Sequence, residues 1–180
     1  MRILSSVLAL ALAVLPAPAL PALRTGAVAP DFTTSGALAG KPFRLQLKEQ
    51  LRHGPVVLYF FPKAFTEGCT LEAKAFSDAA ADFRKAGARV IGMSADDYGT
   101  LAKFSVEACR NAFPVATASP ATIKAYDVVL AQKPELSDRT SYVIAPDGRI
   151  IYAYSDMDWR SHVANTLKAV QEWRAGQRKG

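Results

Sequence analysis

The feature that most constrains the fold is an apolar run that ends abruptly at a proline. Residues 55–61 read Pro-Val-Val-Leu-Tyr-Phe-Phe, and Pro62 follows them. A short run this rich in β-branched and aromatic residues is typical of a central strand that is buried on both faces. Residues 69–85 then repeat apolar side chains at a spacing of four, which predicts an amphipathic helix, and residues 88–93 form a second apolar run. A strand, a helix and a strand in this order predict a parallel β-α-β unit.

The remaining patterns extend this unit into one α/β domain. They predict, in chain order, a helix capped by Asp96 or Asp97 that runs to about Asn111, a short helix from Ser119 to Tyr126, a hairpin of residues 141–145 and 149–154, and a closing helix from Trp159 to Trp173. The resulting order, β-α-β-α-(α)-β-β-α, describes a mixed central sheet with helices on both faces. A chain of 180 residues has room for one such domain, here from about residue 23 to residue 174.

The N-terminus predicts export. Met1 and Arg2 form a short positive start, Val7–Leu15 is a run of nine apolar residues, and prolines follow at positions 16, 18 and 21. A membrane-spanning helix needs about 20 apolar residues, so this length is typical of a signal peptide. We expect residues 1–22 to be a signal peptide cleaved near residue 19 or 22. The mature domain, residues 23–180, is then expected in the bacterial periplasm without stable membrane association; an uncleaved membrane anchor is the alternative.

Charge and composition exclude several classes of function. Without the signal peptide the chain keeps 21 basic residues against 16 acidic ones, a net charge of +5, and the basic residues are scattered except at the end of the chain. We therefore expect no nucleic-acid partner for an exported protein of this kind. Two cysteines and the widely separated His53 and His162 do not form a local metal-binding motif. We expect no metal and treat both histidines as structural or surface residues.

Cys69 stands where the predicted central strand gives way to the predicted helix. A sulfur at such a place faces free backbone N–H groups and the positive end of the helix dipole, and both stabilise a thiolate. Glu67 and Glu72 oppose this effect, whereas Lys63 favours it. Position alone therefore leaves both a reactive cysteine and an inert buried one open.

The residues around Cys69 match a known motif. Residues 62–70 read Pro-Lys-Ala-Phe-Thr-Glu-Gly-Cys-Thr, which has the form Pro-x-x-x-Thr-x-x-Cys. This segment resembles the active-site loop of the peroxiredoxins. Further matches point to the peroxiredoxin Q or bacterioferritin-comigratory-protein branch, and they lie at Ala29–Phe32, at Gly68–Ala73 and in residues 139–150, which contain Arg-Thr-Ser-Tyr-Val-Ile and Asp-Gly-Arg-Ile. The resemblance runs from about residue 25 to residue 170, nearly all of the mature chain.

The resemblance implies a thioredoxin-like fold and a thiol peroxidase that uses no metal, haem or flavin. Cys69 would attack hydrogen peroxide or an organic hydroperoxide and leave as a sulfenic acid. Thr66 would direct its hydroxyl at the sulfur and the peroxide, and Arg139 would supply permanently charged donors to both. Pro62 would shape the pocket without offering an N–H. Taken singly, Thr66, Arg139 and Pro62 are typical of a helix cap, a surface charge and a strand end.

The second half of such a reaction depends on Cys109. Lys74 occupies the place where many members of the branch carry a resolving cysteine, five residues after the first. Cys109, near the end of the second predicted helix, resembles the resolving cysteine of other members, so we expect an intramolecular Cys69–Cys109 disulfide. Forming it requires the first turn around Cys69 to unwind. A structural disulfide, an inert buried thiol and resolution by an external thiol are the alternatives.

The branch also implies partners. A thioredoxin-like dithiol protein or a small thiol would reduce the disulfide, and a monomer is expected because the branch includes many monomers. A thioredoxin-type oxidoreductase would need a second cysteine three residues after Cys69, and a copper-delivery protein would need closely spaced cysteines and a histidine. The alternative to an enzyme is an exported redox sensor or thiol-binding module without catalytic turnover. Turnover with an external reductant distinguishes the two.

Overall fold

The computed structural model describes residues 22–178, and the predicted signal peptide lies almost wholly outside them. The strands are β1 (Thr33–Leu38), β2 (Lys41–Gln46), β3 (Val56–Phe60), β4 (Arg89–Ser94), β5 (Val115–Thr117), β6 (Thr140–Ile144) and β7 (Ile150–Ser155). The helices are α1 (Leu47–Leu51), α2 (Glu67–Asp78), α3 (Ala80–Lys85), α4 (Tyr98–Glu107), α5 (Pro120–Ala125) and α6 (His162–Gln177), and one 3-10 turn (Trp159–Ser161) precedes α6. None of these helices has both the length and the apolar character that a bilayer-spanning helix needs.

The seven strands form one mixed sheet in the order β2-β1-β5-β4-β3-β6-β7. The pairs β3–β4 and β4–β5 are parallel, and the other neighbouring pairs are antiparallel. This arrangement confirms the predicted β-α-β unit and the predicted hairpin of β6 and β7. Helices cover both faces, as the sequence predicts.

The central position of β3 follows from its composition. All of its residues are completely buried, and alternate side chains enter two separate apolar clusters. Val57 and Tyr59 pack with side chains of α2, α3, α4 and α6, whereas Leu58 and Phe60 pack with those of α1 and α5. A strand that is apolar at every position is stable only when both faces are covered.

Two helix boundaries differ from the prediction. The predicted helix over residues 69–85 is broken at Ala79, where ψ is −1°, so that α2 and α3 are separate helices. The next helix, α4, begins after Asp97 as predicted but ends at Glu107 rather than near Asn111. Arg110 and Asn111 adopt positive φ angles of 52° and 62°, which a continuing helix excludes. Cys109 therefore lies just past the helix, and its predicted placement on the helix is wrong.

The sequence patterns also missed β1, β2, α1 and β5. The β1–β2 hairpin turns at Ala39 and Gly40, with φ angles of 52° and 74°, which is the backbone of a tight hairpin turn. The strands of this hairpin contain many small and polar residues, so their sequence shows little of the apolar–polar alternation that predicts a strand. Gly36 of β1 touches β5 closely, since an added Cβ would lie 2.1 Å from the carbonyl oxygen of Val115. Only glycine allows this approach. Because glycine has no side chain, the contact leaves no apolar residue in the sequence from which the strand could be predicted.

Candidate active site

The loop between β3 and α2 is a sharp turn imposed by its own residues. Phe61 makes the last backbone hydrogen bond to β4, and Pro62 has no N–H with which to continue the ladder. Phe65 adopts a positive φ of 63°, which is strained for a bulky residue, and its half-exposed ring packs edge-on against Phe104 at 5.2 Å. Thr66 then returns to an extended conformation and α2 begins.

Cys69 is the third residue of α2, and its side chain is buried. Backbone N–H groups in the first turn of a helix have no partner within the helix, so they present partial positive charge at this end. The Nη2 atom of Arg139 lies 3.4 Å from Cys69 Sγ and donates to it. The sulfur thus faces a permanent cation in a site from which water is excluded, which stabilises a thiolate.

Arg139 is held in place on three sides. Its Nη1 donates to Oε2 of the buried Glu72, and its Nε donates to the carbonyl oxygen of Met157 at 3.0 Å. Gly68 leaves the room that the guanidinium needs. An added Cβ there would lie 3.3 Å from Nη2 of Arg139 and 3.7 Å from Cδ1 of Trp159.

Thr66 and Pro62 lie on the loop that leads into Cys69. The hydroxyl of Thr66 donates to the carbonyl oxygen of Lys63 at 2.9 Å and makes no cap to the backbone of α2. Its oxygen keeps lone pairs that can accept a hydrogen bond. Pro62 is half-buried where this loop starts. The structure therefore brings Arg139 against the sulfur, whereas the hydroxyl of Thr66 is directed to Lys63 and Pro62 lies where the loop starts.

Asp96 anchors this loop from the end of β4, a contact that sequence reasoning missed. Its carboxylate accepts the backbone N–H of Ala64 at 2.7 Å and the hydroxyl of Ser94 at 2.8 Å. The sequence offered Asp96 and Asp97 as alternative helix caps, and Asp97 is the one that caps α4, by accepting the N–H of Thr100. The available signal in the sequence was Asp96 itself, an acidic residue just after a predicted strand that is not needed as the helix cap.

Cys109 is completely buried and is a free thiol, as is Cys69. Both sulfurs belong to the same apolar cluster, together with Tyr59. Burial raises the pKa of Cys109, so this thiol stays protonated in the reduced protein. Burial also raises the pKa of Tyr59, and the nearby Cys109, Glu72 and Cys69 add to that effect.

Sequence reasoning also missed the role of Glu72. Glu72 was counted as an unfavourable charge, yet it is completely buried and pairs with Arg139. Burial raises its pKa to about 8, and Arg139 opposes this only in part. Its position one turn after Cys69, on the same face of α2, was the available signal. His162 is completely buried, as a structural residue, whereas His53 is exposed.

The site contains the groups of a thiol centre rather than those of a metal centre. Across residues 22–178 no three His, Cys, Asp or Glu side chains are grouped so that they could hold a metal ion. What the geometry provides is a sulfur nucleophile, a fixed guanidinium and a helix N-terminus, which together stabilise negative charge on sulfur and on a bound oxygen.

Comparison with known proteins places these residues in a family. A family model described as AhpC/TSA matches residues 25–153. A peroxiredoxin of Mycobacterium tuberculosis is 33% identical over 158 residues, which are 86% of this chain and 100% of that protein. Peroxiredoxin bcp of Helicobacter pylori is 30% identical over 82% of this chain and 98% of its own length. Chloroplastic peroxiredoxin Q of Oryza sativa is 32% identical over 81% of this chain, which spans 66% of that protein's length.

Solved structures show the same fold. The crystal structure of peroxidoxin BcpB from Mycobacterium tuberculosis superposes with a TM-score of 0.73 at 32% identity, covering 83% of this chain and 97% of that one. The reduced 2-Cys peroxiredoxin of Plasmodium vivax gives a TM-score of 0.76 at 19% identity over 86% and 98% of the two chains, a likeness of fold alone. The predicted thioredoxin-like fold is confirmed. Matches of sequence over most of its length show that this chain belongs to the AhpC/TSA family, the family of the peroxiredoxins.

Proposed function

We propose that this protein is a thiol-dependent peroxidase in which Cys69 is the peroxidatic nucleophile. The observation that carries the proposal is the buried sulfur at the start of α2, with Arg139 Nη2 3.4 Å away. Membership of the peroxiredoxin family supports it. A thiolate needs a fixed cation to exist in an apolar site, and breaking an O–O bond needs the same cation to stabilise the departing oxygen.

The substrates we propose are hydrogen peroxide and organic hydroperoxides. The Cys69 thiolate attacks one peroxide oxygen, so that an S–O bond forms and the O–O bond breaks. Sulfur is oxidised by two electrons, and the departing oxygen takes a proton from solvent to give water or an alcohol. Arg139 donates to the reacting oxygens, the Thr66 hydroxyl accepts from the peroxide, and Pro62 closes the pocket without a competing N–H.

Cys109 is the proposed resolving thiol. It would attack the sulfenic acid of Cys69, forming an S–S bond and releasing water. Burial of Cys109 and the raised pKa of its thiol mean that it reacts only after its surroundings open. The first turn of α2 would unwind at the same time, because Cys69 is held within the helix. If Cys109 stays buried, an external thiol resolves the sulfenic acid instead.

The proposed partners follow from this cycle. A dithiol protein of the thioredoxin type, or a small thiol, would reduce the Cys69–Cys109 disulfide and restore both thiols. We propose that the protein is a monomer and that it is exported to the bacterial periplasm. Residues 1–22 would act as the signal peptide, and residues 23–180 would form the single mature domain. The oligomeric state, the export and the domain bounds remain predictions from the sequence.

Mass spectrometry of the oxidised protein tests the cycle. The reduced protein is treated with one equivalent of hydrogen peroxide, and its intact mass and peptide map are recorded. Loss of two hydrogens with a Cys69–Cys109 cross-link supports both the peroxidase and the resolving role. One added oxygen on Cys69, with Cys109 free, supports the peroxidase and requires an external resolving thiol. An unchanged mass contradicts the peroxidase.

Turnover separates an enzyme from a redox sensor. Peroxide consumption is followed with excess dithiothreitol and, separately, with a thioredoxin system, using the Cys69→Ser variant as the blank. A peroxidase consumes many equivalents of peroxide per protein molecule. Oxidation that stops after one equivalent in both reductants indicates a sensor or a thiol-binding module.

A further inference from the structure

Glu72 shares its positive partner with the reactive sulfur. Its carboxyl is completely buried, Oε2 accepts from Arg139 Nη1, and Oε1 finds no hydrogen-bond partner within residues 22–178. The other terminal nitrogen of Arg139 donates to Cys69 Sγ. One guanidinium charge therefore faces two acidic groups. Tyr59 and Cys109, which lie in the same apolar cluster as the sulfur, are neutral because burial raises their pKa values.

The charge of this buried group depends on whether Glu72 is ionised. A Cys69 thiolate and the Arg139 guanidinium balance each other. An ionised Glu72 would add an uncompensated negative charge, and it would leave Oε1 as a buried charged oxygen without a donor. Such a group costs several kcal/mol, because neither water nor a second cation repays its desolvation. A neutral Glu72 avoids this cost.

His162 provides the second geometric observation. Its Nε2 lies 2.9 Å from the backbone carbonyl oxygen of Asp156, which can only accept, so Nε2 carries the hydrogen. In the neutral ring Nδ1 is then an acceptor, and it receives the hydroxyl of Ser141 at 2.8 Å. The same Nδ1 lies 3.8 Å from Glu72 Oε1. Because the Ser141 hydroxyl occupies the one lone pair of Nδ1, His162 offers no hydrogen-bond donor to a Glu72 carboxylate.

The other groups around His162 also favour its neutral form on balance. Burial lowers the pKa of His162, and Arg139 lowers it further, although Asp156 and Asp158 oppose them. Tyr154 packs its ring edge-on against the imidazole at 4.8 Å and adds no charge. His162 therefore does not supply the cation that an ionised Glu72 would need.

We propose that Glu72 works as a neutral carboxylic acid, with its proton on Oε1 and with Oε2 holding the Arg139 guanidinium for the Cys69 thiolate. This inference rests on the proposed function, since it takes Cys69 as the thiolate. Glu72 is a positioning residue: it aims the guanidinium but does not compete for its charge. The raised pKa of Glu72, about 8, agrees with this arrangement.

The arrangement has a consequence at alkaline pH. Ionised Glu72 would compete with the thiolate for the single guanidinium, so the reaction with peroxide slows as Glu72 loses its proton. The protonated fraction of an acid falls tenfold for each pH unit above its pKa. The rate constant for oxidation of the reduced protein is therefore expected to decline above about pH 8, by up to about tenfold per unit.

Infrared spectroscopy tests the protonation state directly and needs no peroxide. The reduced full-length protein is compared with Glu72→Gln and with a matched control, Glu172→Gln, which changes an exposed acid on α6. We expect a C=O stretching band of a protonated carboxyl at neutral pH in the parent and in the control, and its loss in Glu72→Gln. If the three spectra agree in this region, Glu72 is ionised and the proposal is wrong.

The rate–pH profile tests the positioning role. Single-turnover oxidation by hydrogen peroxide is measured between about pH 6 and pH 10 for the parent, Glu72→Gln and Glu72→Ala. Gln has the shape of the neutral acid, so Glu72→Gln is expected to react within about tenfold of the parent at neutral pH and to lack the alkaline decline. Glu72→Ala is expected to be slower than Glu72→Gln at every pH, because nothing then holds Arg139.

The outcomes that contradict the proposal are distinct from a failure of the proposed function. Equal losses in Glu72→Gln and Glu72→Ala at neutral pH would show that Arg139 needs an ionised partner. An alkaline decline that persists in Glu72→Gln would assign it to another group. If the reduced parent does not react with peroxide at any pH, the peroxidase function fails, and the infrared band still decides the state of Glu72. That band also decides the question if Glu72→Ala does not fold.

Discussion

Arg139 makes three different kinds of contact with one guanidinium group. It donates to the sulfur of Cys69, to the carboxyl of Glu72 and to the backbone of Met157. A planar fork with fixed donors can do this, whereas a single ammonium group cannot. The side chain is almost wholly buried, so its charge acts on the sulfur with little screening by water.

The Arg139→Lys substitution is expected to slow the reaction of the reduced protein with peroxide by about 100-fold, the usual cost of losing a fixed donor to a developing charge. The measurement is the second-order rate constant from rapid mixing. Arg52→Lys, an exposed residue paired with Glu49, is the matched control and is expected to react as the parent does. Equal rates for all three proteins would show that positive charge alone, and not the fork, activates Cys69.

Gly68 is expected to be required for activity and not for stability. A methyl group there would lie 3.3 Å from Arg139 Nη2, so Gly68→Ala displaces the guanidinium and slows peroxide reduction by about tenfold. Alanine also favours a helix over glycine by about 0.5–1 kcal/mol, so the free energy of unfolding should not fall by much. Urea titration and rapid mixing measure the two effects.

Gly176→Ala is the matched control for that substitution. Gly176 lies in α6, and an added Cβ there meets no atom within 4 Å. Its substitution should raise stability slightly and leave the rate constant alone. A Gly68→Ala variant that is unstable but reacts at the parental rate would show that the contact with Trp159, rather than the one with Arg139, limits this position.

Among the elements, the position of α2 depends on how its preceding loop is attached. Loop residues 62–66 connect β3 to α2, and their attachment to the neighbouring strand β4 runs through the carboxylate of Asp96. Ser137 adds a second attachment, since its hydroxyl donates to the carbonyl oxygen of Phe61 at 2.9 Å. The loop is thus fixed from β4 and from the segment that carries Arg139.

The neighbouring acids Asp96 and Asp97 allow a paired test of this attachment. Asp96→Ala leaves the N–H of Ala64 without its partner, so we expect a loss of about 1–3 kcal/mol in unfolding free energy and a slower reaction with peroxide. Asp97→Ala removes the cap of α4, which lowers the unfolding free energy but does not touch the loop. Urea unfolding and the rate constant are measured for both. A parental rate in Asp96→Ala would show that the loop keeps its shape without the anchor.

In the molecule as a whole, the candidate active site is part of the hydrophobic core. Cys69 and Cys109 both lie in the apolar cluster that α2, α3, α4 and α6 form against the sheet. Arg139 and Glu72, which hydrogen-bond to each other, are also buried. Protonation of the site is therefore linked to the stability of the fold.

The contribution of Glu72 to the free energy of unfolding is expected to fall as the pH rises through neutrality. The pKa of Glu72 is raised from 4.5 to about 8 by burial, so the folded protein binds this proton more tightly than the unfolded chain. That contribution is complete below about pH 4.5 and is lost as the pH rises through 8. Between about pH 7 and 8.5 the contribution of Glu72 to the unfolding free energy should drop by roughly 1 kcal/mol per pH unit.

Urea titrations of the parent and of Glu72→Gln isolate this effect. Asp138, with a pKa raised by burial to about 6, acts in the same direction at lower pH. His162, with a pKa lowered by burial, acts in the opposite direction below its ordinary value of 6.5. Both have finished titrating above pH 7, so Glu72→Gln should show the flatter curve there. Parallel curves would mean that Glu72 is already ionised.

The centre of the sheet and the candidate nucleophile could be predicted from the sequence alone. Val56–Phe60 is apolar at every position, and such a strand has one stable environment, between two layers of helices. Cys69 follows this strand at the start of a helix. The residues of its motif are neighbours in the chain, so the sequence alone shows that they lie close together. The hairpin of β6 and β7 was likewise readable, since its turn lies between two apolar runs.

Apart from Arg139, the groups that surround the sulfur could be identified only from the tertiary structure. Arg139 and Glu72 are 67 residues apart and Glu72 and His162 are 90 residues apart, yet all three meet in one buried group. No local pattern encodes such a meeting, because the burial that raises the pKa of Glu72 comes from packing α2 against α6 and the sheet. The same holds for Gly36 of β1, whose close approach to β5 arises only in the folded sheet. The local sequence determines whether a segment forms a helix or a strand. The charge state and the contacts of a side chain depend on the neighbours that folding brings together.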